Sequence, residues 1–209
     1  MFSNFRFSGF LVALLCVFAS AHAQTAHLAP AEHAQSVVAF QQELNAEYRN
    51  PQESPLPPAE RKAFKGLPFF PTDYAFYVEA TLERDSTALP FRMKTSTARE
   101  PEYRKYGVLH FTLNGQPLQL TVYQSLDLMR KPGYEDYLFV PFTDPTNGHE
   151  SYGGGRYIDL RIPKSPVLML DFNRAYNPYC AYSPKYSCPV PPAENRLPVA
   201  IRAGVQSDH

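Results

Sequence analysis

"GVLHFTLNGQPLQLTVYQS", Gly107 to Ser125, alternates apolar and polar residues on both sides of an Asn-Gly pair. Alternation with period two marks a strand with one buried face, and Asn-Gly supplies the positive-φ residues of a tight hairpin. Leu109, Phe111 and Leu113 therefore share a face with Leu118, Leu120 and Val122 across the turn, while His110 and Thr112 take the other face. Pro117 cannot donate to a ladder, which points to an edge position or a slightly longer turn.

The same period recurs on either side of this hairpin. Upstream, Phe76, Val78, Ala80 and Leu82 alternate with polar neighbours, and "LPFRMKTS" (Leu89 to Ser96) is placed to return beside them. Downstream, strands are expected at Asp136 to Phe142, Arg156 to Ile162, Pro166 to Phe172 and Leu197 to Ala203. About eight short strands without crossover helices predict a mainly β fold, an antiparallel barrel or sandwich. One or two N-terminal helices should pack against it. In Pro30 to Asn50 the residues Val37, Phe40, Leu44 and Tyr48 repeat at helical spacing between Pro30 and Pro51. A short second helix opens at Pro58, with Gly66 as its left-handed stop.

The N-terminus carries an address. Arg6, the apolar run "GFLVALLCVFA" (Gly9 to Ala19) and "AHA" (Ala21 to Ala23) read as a signal peptide cleaved after Ala23. The apolar run is short of the roughly 20 residues that a spanning helix needs. The expected layout is residues 1–23 as signal, 24–52 as helix and linker, and 53–209 as a single β-rich domain. Export to the periplasm or medium follows, with no membrane span after cleavage. Lys+Arg and Asp+Glu both number 20 in the 209 residues, so no electrostatic footprint for nucleic acid exists. Oligomeric state is not legible.

Of three cysteines Cys16 leaves with the signal, and Cys180 and Cys188 remain as an expected disulfide in an oxidising compartment. In the chain-entropy model a loop of nine residues closed this way contributes about 2.6 kcal/mol, less any strain. No cofactor and no metal centre is expected, because the histidines and cysteines lack ligand spacing.

Two dense polar stretches hold the candidate chemistry. In "FVPFTDPTNGHESYGGGRYIDL" (Phe139 to Leu160) the glycines Gly153, Gly154 and Gly155 precede Arg156. They make either a cradle for an anion or a bulge that starts a strand. In "DFNRAYNPYCAYSPKYSCPVPPAEN" (Asp171 to Asn195) the candidates are Asp171, Asn173, Tyr176 and Asn177. Strand alternation sets Tyr157, Asp159 and Arg161 opposite Ile158, Leu160 and Ile162. A barrel covered by helices would direct such polar faces into a cavity, with Asp144, Tyr152, the glycines, Arg156, Asp159, His110, Asp171, Asn173, Tyr176 and Asn177 as ligand contacts.

Four strings in order, "ESPLPPAERKAFKGLPFFP", "YGVLHFTLNGQPLQLTVY", "FVPFTDPTNGHESYGGGRYIDL" and "DFNRAYNPYCAYSPKYSCPVPPAENRLPVAIRAG", resemble the bacterial domain-of-unknown-function family 1684. The resemblance covers nearly all of residues 53–204 and implies no activity. It implies recurrent polar positions at Asp144, Thr146, Gly148, Tyr152, Gly153, Gly155, Arg156, Tyr157 and Asp159. A second set falls on Asp171, Asn173, Tyr176, Asn177, Pro178, Cys180, Cys188, Pro189, Pro191, Pro192, Glu194 and Asn195. His149 stands outside both sets.

Three functions fit these residues. A binding module would hold a small polar ligand, such as a glycan fragment, between segments 143–159 and 171–180. A hydrolase would use an acid-base pair drawn from Asp144, Glu150 and Asp171. A structural envelope protein would use the motifs only to fix loops.

Overall fold

The computed structural model describes residues 27–207. The expected signal segment, residues 1–23 with Cys16, lies outside them. The elements are α1 (Pro30–Arg49), α2 (Pro58–Ala63), β1 (Tyr77–Arg84), β2 (Phe91–Arg92), β3 (Glu102–Leu113), β4 (Gln116–Ser125), β5 (Tyr137–Phe142), β6 (Arg156–Arg161) and β7 (Val167–Asp171). The seven strands make one antiparallel sheet in the order β6-β5-β4-β3-β1-β7, with β2 attached to β3. This sheet curls into a half-barrel. The chain leaving β7 reaches the far edge, where Tyr157 and Tyr176 exchange backbone hydrogen bonds of 2.9 and 3.0 Å.

The hairpin is built as its sequence dictates. Asn114 (φ 51°) and Gly115 (φ 77°) form a two-residue turn, and Leu109 faces Leu120 while Phe111 faces Leu118. Pro117 neither lengthens the turn nor marks an edge strand. It pairs with Thr112 at the end of β4 that extends past β5, whose registered contact with β4 is Tyr123 opposite Phe139. One face of the hairpin joins Ala80, Leu82, Leu138, Val140, Ile158, Leu168, Leu170 and Phe172 in the main core. The inside of the half-barrel is thus apolar, and the polar strand faces point outward.

Three further sequence expectations need correction. The Leu89 to Ser96 segment returns beside β3, not β1, pairing Phe91 with Tyr103. The Leu197 to Ala203 segment is not a strand. Its Leu197, Ile201 and Ala203 plug the core, and its carbonyls at Ile201 and Ala203 accept from Arg156 instead of from a ladder. Helix α2 ends at Ala63, and Gly66 sits three residues beyond it at φ 151°, so it is not a left-handed cap.

Between β4 and β5 a side chain stands in for the missing ladder. The Asn195 Oδ1 accepts from Thr121 N–H (2.7 Å), and its Nδ2 donates to the carbonyls of Thr121 (2.8 Å) and Pro141 (2.7 Å). Helix α1 buries His33, Val37, Leu44 and Tyr48. It lies across the outer surface of the sheet, and Phe40 is left half-buried there.

Candidate functional site

On β6, Tyr157 and Asp159 project from the outer face because Ile158 between them enters the core. Asp159 is directly opposite Phe139 on β5. Tyr137, two residues earlier on β5, is its diagonal neighbour and reaches it. Its hydroxyl donates to Asp159 Oδ1 at 2.7 Å, and the Tyr176 hydroxyl donates to the same oxygen, also at 2.7 Å. Tyr176 is in place because its backbone closes the half-barrel against Tyr157.

Helix α1 and the segment after β7 raise walls around this carboxylate. The resulting cleft has a volume of about 520 Å³, within the usual range for small-ligand sites. Phe40, Leu44 and Glu47 come from α1, while Tyr134, Tyr179 and Tyr186 join Tyr137, Tyr157 and Tyr176. Tyr179 donates its hydroxyl to Glu47 Oε1, and Tyr157 donates to the Pro189 carbonyl. The ring of Tyr179 meets that of Tyr186 edge-on at 5.1 Å.

Asp159 is open to the cleft yet has protein on its other sides. That burial raises its pKa above the ordinary carboxylate value, against the two tyrosine donors and Arg161, which pull it down. Burial, reinforced by Asp159, pushes the Tyr137 and Tyr176 hydroxyls well above the ordinary phenol value, so both remain proton donors.

The other sequence candidates are dispersed. Asp144 and Arg156 form a sealed ion pair of 2.9 Å, with both side chains fully inaccessible. The Asp144 Oδ1 also accepts from Thr146 N–H and Ile201 N–H. Arg156 is thereby committed to holding the 144–156 loop against the C-terminal segment and cannot reach an anion at the glycines. Gly153 and Gly154 are exposed, and Gly155 (φ 89°) is a close-approach point where a Cβ would lie 2.6 Å from the Phe142 carbonyl. The glycine run is the turn that starts β6.

Asp171 is bonded to His33 Nε2 at 3.0 Å and to Asn173. Asn173 in turn clamps the Asp73 backbone from both sides. Asp171 and Asp159 share the lining of a smaller hollow of about 250 Å³ beneath α1. Tyr152 and Asn177 line a separate hollow of about 390 Å³ beside α2. His110 is on the exposed outer face of β3, 3.1 Å from Glu83, and Glu150 pairs with Arg202 at the surface. Each candidate carboxylate of an acid-base pair is therefore held by a different partner.

Cys180 and Cys188 are unbridged neighbours, with Cys180 N–H donating to Cys188 Sγ at 3.1 Å. The hydrogen bond from Cys188 draws the Cys180 thiol down to about 6, and the same contact pushes Cys188 up. Cys188 lines the tyrosine cleft.

Sequence reasoning reached Asp159 and Tyr176 but missed Glu47, Tyr137, Tyr179 and Tyr186. Glu47 needed the helix orientation. Tyr137 was signalled by its alternation with Leu138 and Val140, which puts it on the outer face. His33 was legible too, four residues before Val37 on the buried stripe of α1.

The model of a family described as a protein of unknown function, DUF1684, matches residues 62–206. That range contains every strand of the sheet and all cleft residues except those of α1. The solution NMR structure of an uncharacterised protein from Haloarcula marismortui is 36% identical, with a TM-score of 0.66, covering 85% of this chain and 96% of its own. No curated protein matches the chain.

Proposed function

The chain belongs to the DUF1684 family, and we propose that it is an exported small-ligand-binding domain whose ligand enters the cleft between α1 and the outer face of β5 and β6. One observation carries the reading. Asp159 is the floor of an aromatic cleft of about 520 Å³, where two tyrosine hydroxyls take its Oδ1 and leave Oδ2 to a ligand. Catalysis is the weaker reading, because Asp144, Glu150 and Asp171 are each engaged elsewhere.

Export rests on the signal-like residues 1–23, and N-terminal sequencing of the secreted chain should begin at Gln24. In that compartment the adjacent Cys180 and Cys188 would close as a disulfide, stapling the wall that carries Tyr179 and Tyr186.

The binding reading is tested by thermal-shift screening of the purified protein with glycan fragments, amines, amino acids and esters, with product analysis in parallel. The expected result is a rise in Tm without product. Leu128→Trp, at the half-buried rim, should abolish that rise with little change in basal Tm. Product release would establish an enzyme instead, and a shift unaffected by Leu128→Trp would put the ligand elsewhere.

A further inference from the structure

The chemistry left available inside the cleft is one-sided. Its lining offers six tyrosine rings, Asp159 and Glu47, and no lysine, arginine or histidine. The hydroxyl donors are largely spent within the protein. Tyr137 and Tyr176 both donate to Asp159 Oδ1, Tyr179 donates to Glu47, Tyr157 to the Pro189 carbonyl and Tyr186 to the Ser54 carbonyl. Because both donors converge on one oxygen, Asp159 Oδ2 has no hydrogen-bond partner among the described residues. What remains for a ligand is carboxylate lone pairs and the negative faces of aromatic rings. A sugar needs donors as well as acceptors, and an anion would meet two like charges.

Resting on the reading of this cleft as the ligand site, we propose that it selects an organic cation, an ammonium or quaternary ammonium group seated on Asp159 between the tyrosine rings. Aromatic faces attract such groups within about 6 Å of the ring centroid, most strongly where water is excluded. The chain's own cations already occupy three of the lining rings in this way, which leaves Tyr137, Tyr157, Tyr176 and Tyr179 to a ligand. Arg161 is 5.8 Å from the Tyr134 centroid, Lys185 is 4.8 Å from that of Tyr186, and Arg174 is 5.7 Å from that of Phe40. Glu47, a helix turn above Glu43 on α1, adds a second negative charge to the wall. Ion pairing at the floor also offsets the cost of keeping Asp159 ionised there.

The chain has 14 tyrosines and no tryptophan, and six of those tyrosines line the cleft, so intrinsic fluorescence carries a cleft signal that the calorimetry checks. The full chain is titrated with choline, n-butylamine, cellobiose and 3,3-dimethylbutan-1-ol, the neutral isostere of choline, by fluorescence and calorimetry. Choline or butylamine should bind at least tenfold tighter than the isostere. Asp159→Asn should weaken the cation at least tenfold, and Glu47→Gln less, while both variants keep the parent's cooperative melting. Binding of the isostere or cellobiose as tightly as choline would overturn the cation inference and leave the ligand cleft standing. Absence of any response to all four probes would overturn the cation inference, and the wider Tm screen with Leu128→Trp would then decide the cleft separately.

Discussion

Thr121 presents its backbone N–H and C=O toward β5 at a point where β5 supplies no partner, and the amide of Asn195 accepts from one and donates to the other. A carboxamide is the one uncharged side-chain group that carries the donor and acceptor pattern of a peptide bond. Asn195→Ala would orphan both groups of Thr121 and the Pro141 carbonyl. At about 1–3 kcal/mol for each unsatisfied buried group, the loss should reach about 3 kcal/mol or more, a fall in Tm of about 6–12 °C. Asp159 works in the opposite sense. Its folded-state pKa is raised, so its share of stability is whole below the ordinary carboxylate range and is lost as pH rises through the folded value. Asp159→Asn should therefore melt higher than the parent at neutral pH, with the gap narrowing on acidification. A gap that widens toward low pH would refute that assignment. Burial of the ion pair between Asp144 and Arg156 has a structural result: each is fixed by the other, and neither serves a ligand.

Turns at two points in the fold separate conformational strain from crowding. Gly115 (φ 77°) sits at the tip of the β3–β4 hairpin, where an added Cβ would meet nothing within 4 Å, whereas at Gly204 (φ 79°) a Cβ would lie 2.3 Å from the Ala175 carbonyl. That carbonyl accepts the 2.8 Å bond from Val205 that docks the C-terminal segment. Gly115→Ala should cost about 1–2 kcal/mol for its left-handed backbone alone. Gly204→Ala should cost at least twice as much in urea unfolding, because the docking bond must also give way. The hairpin, β1, β5, β6 and β7 were legible since alternation and turn chemistry are carried by neighbours in the chain. The segment from Leu197 to Ala203 also alternates, but its carbonyls are captured by Arg156 from a distant strand, which no local pattern records. The Phe91 strand pairs with β3 for a related reason: the register of β3 with β1 stops at Gly107, and the earlier residues Glu102 and Tyr103 leave an edge that β2 takes.

For the molecule as a whole, the curl of the sheet creates the site. It brings the chain after β7 back to β6, sets Tyr176 over Asp159, and leaves an outer surface that α1 covers only in part. The two cysteines lie in that closing segment, free in the structure, and the disulfide proposed for an exported chain is tested on the whole molecule. Chain isolated under oxidising conditions should show no free thiol when denatured without reductant, and two after reduction. In the reduced protein, iodoacetamide should label Cys180 first, with a midpoint near pH 6, while Cys188 stays protected. Two free thiols in the oxidised preparation would remove the staple. Short-range periodicity and residues with special φ were enough to specify a mainly antiparallel β domain behind two helices, the hairpin register and the placement of Asp159 on the face opposite Ile158. Which polar residues are sealed and which face a cleft was settled by long-range packing alone. That outcome depends on how far the sheet curls and where α1 lands, and so on contacts between residues more than a hundred positions apart, such as Glu47 with Tyr179.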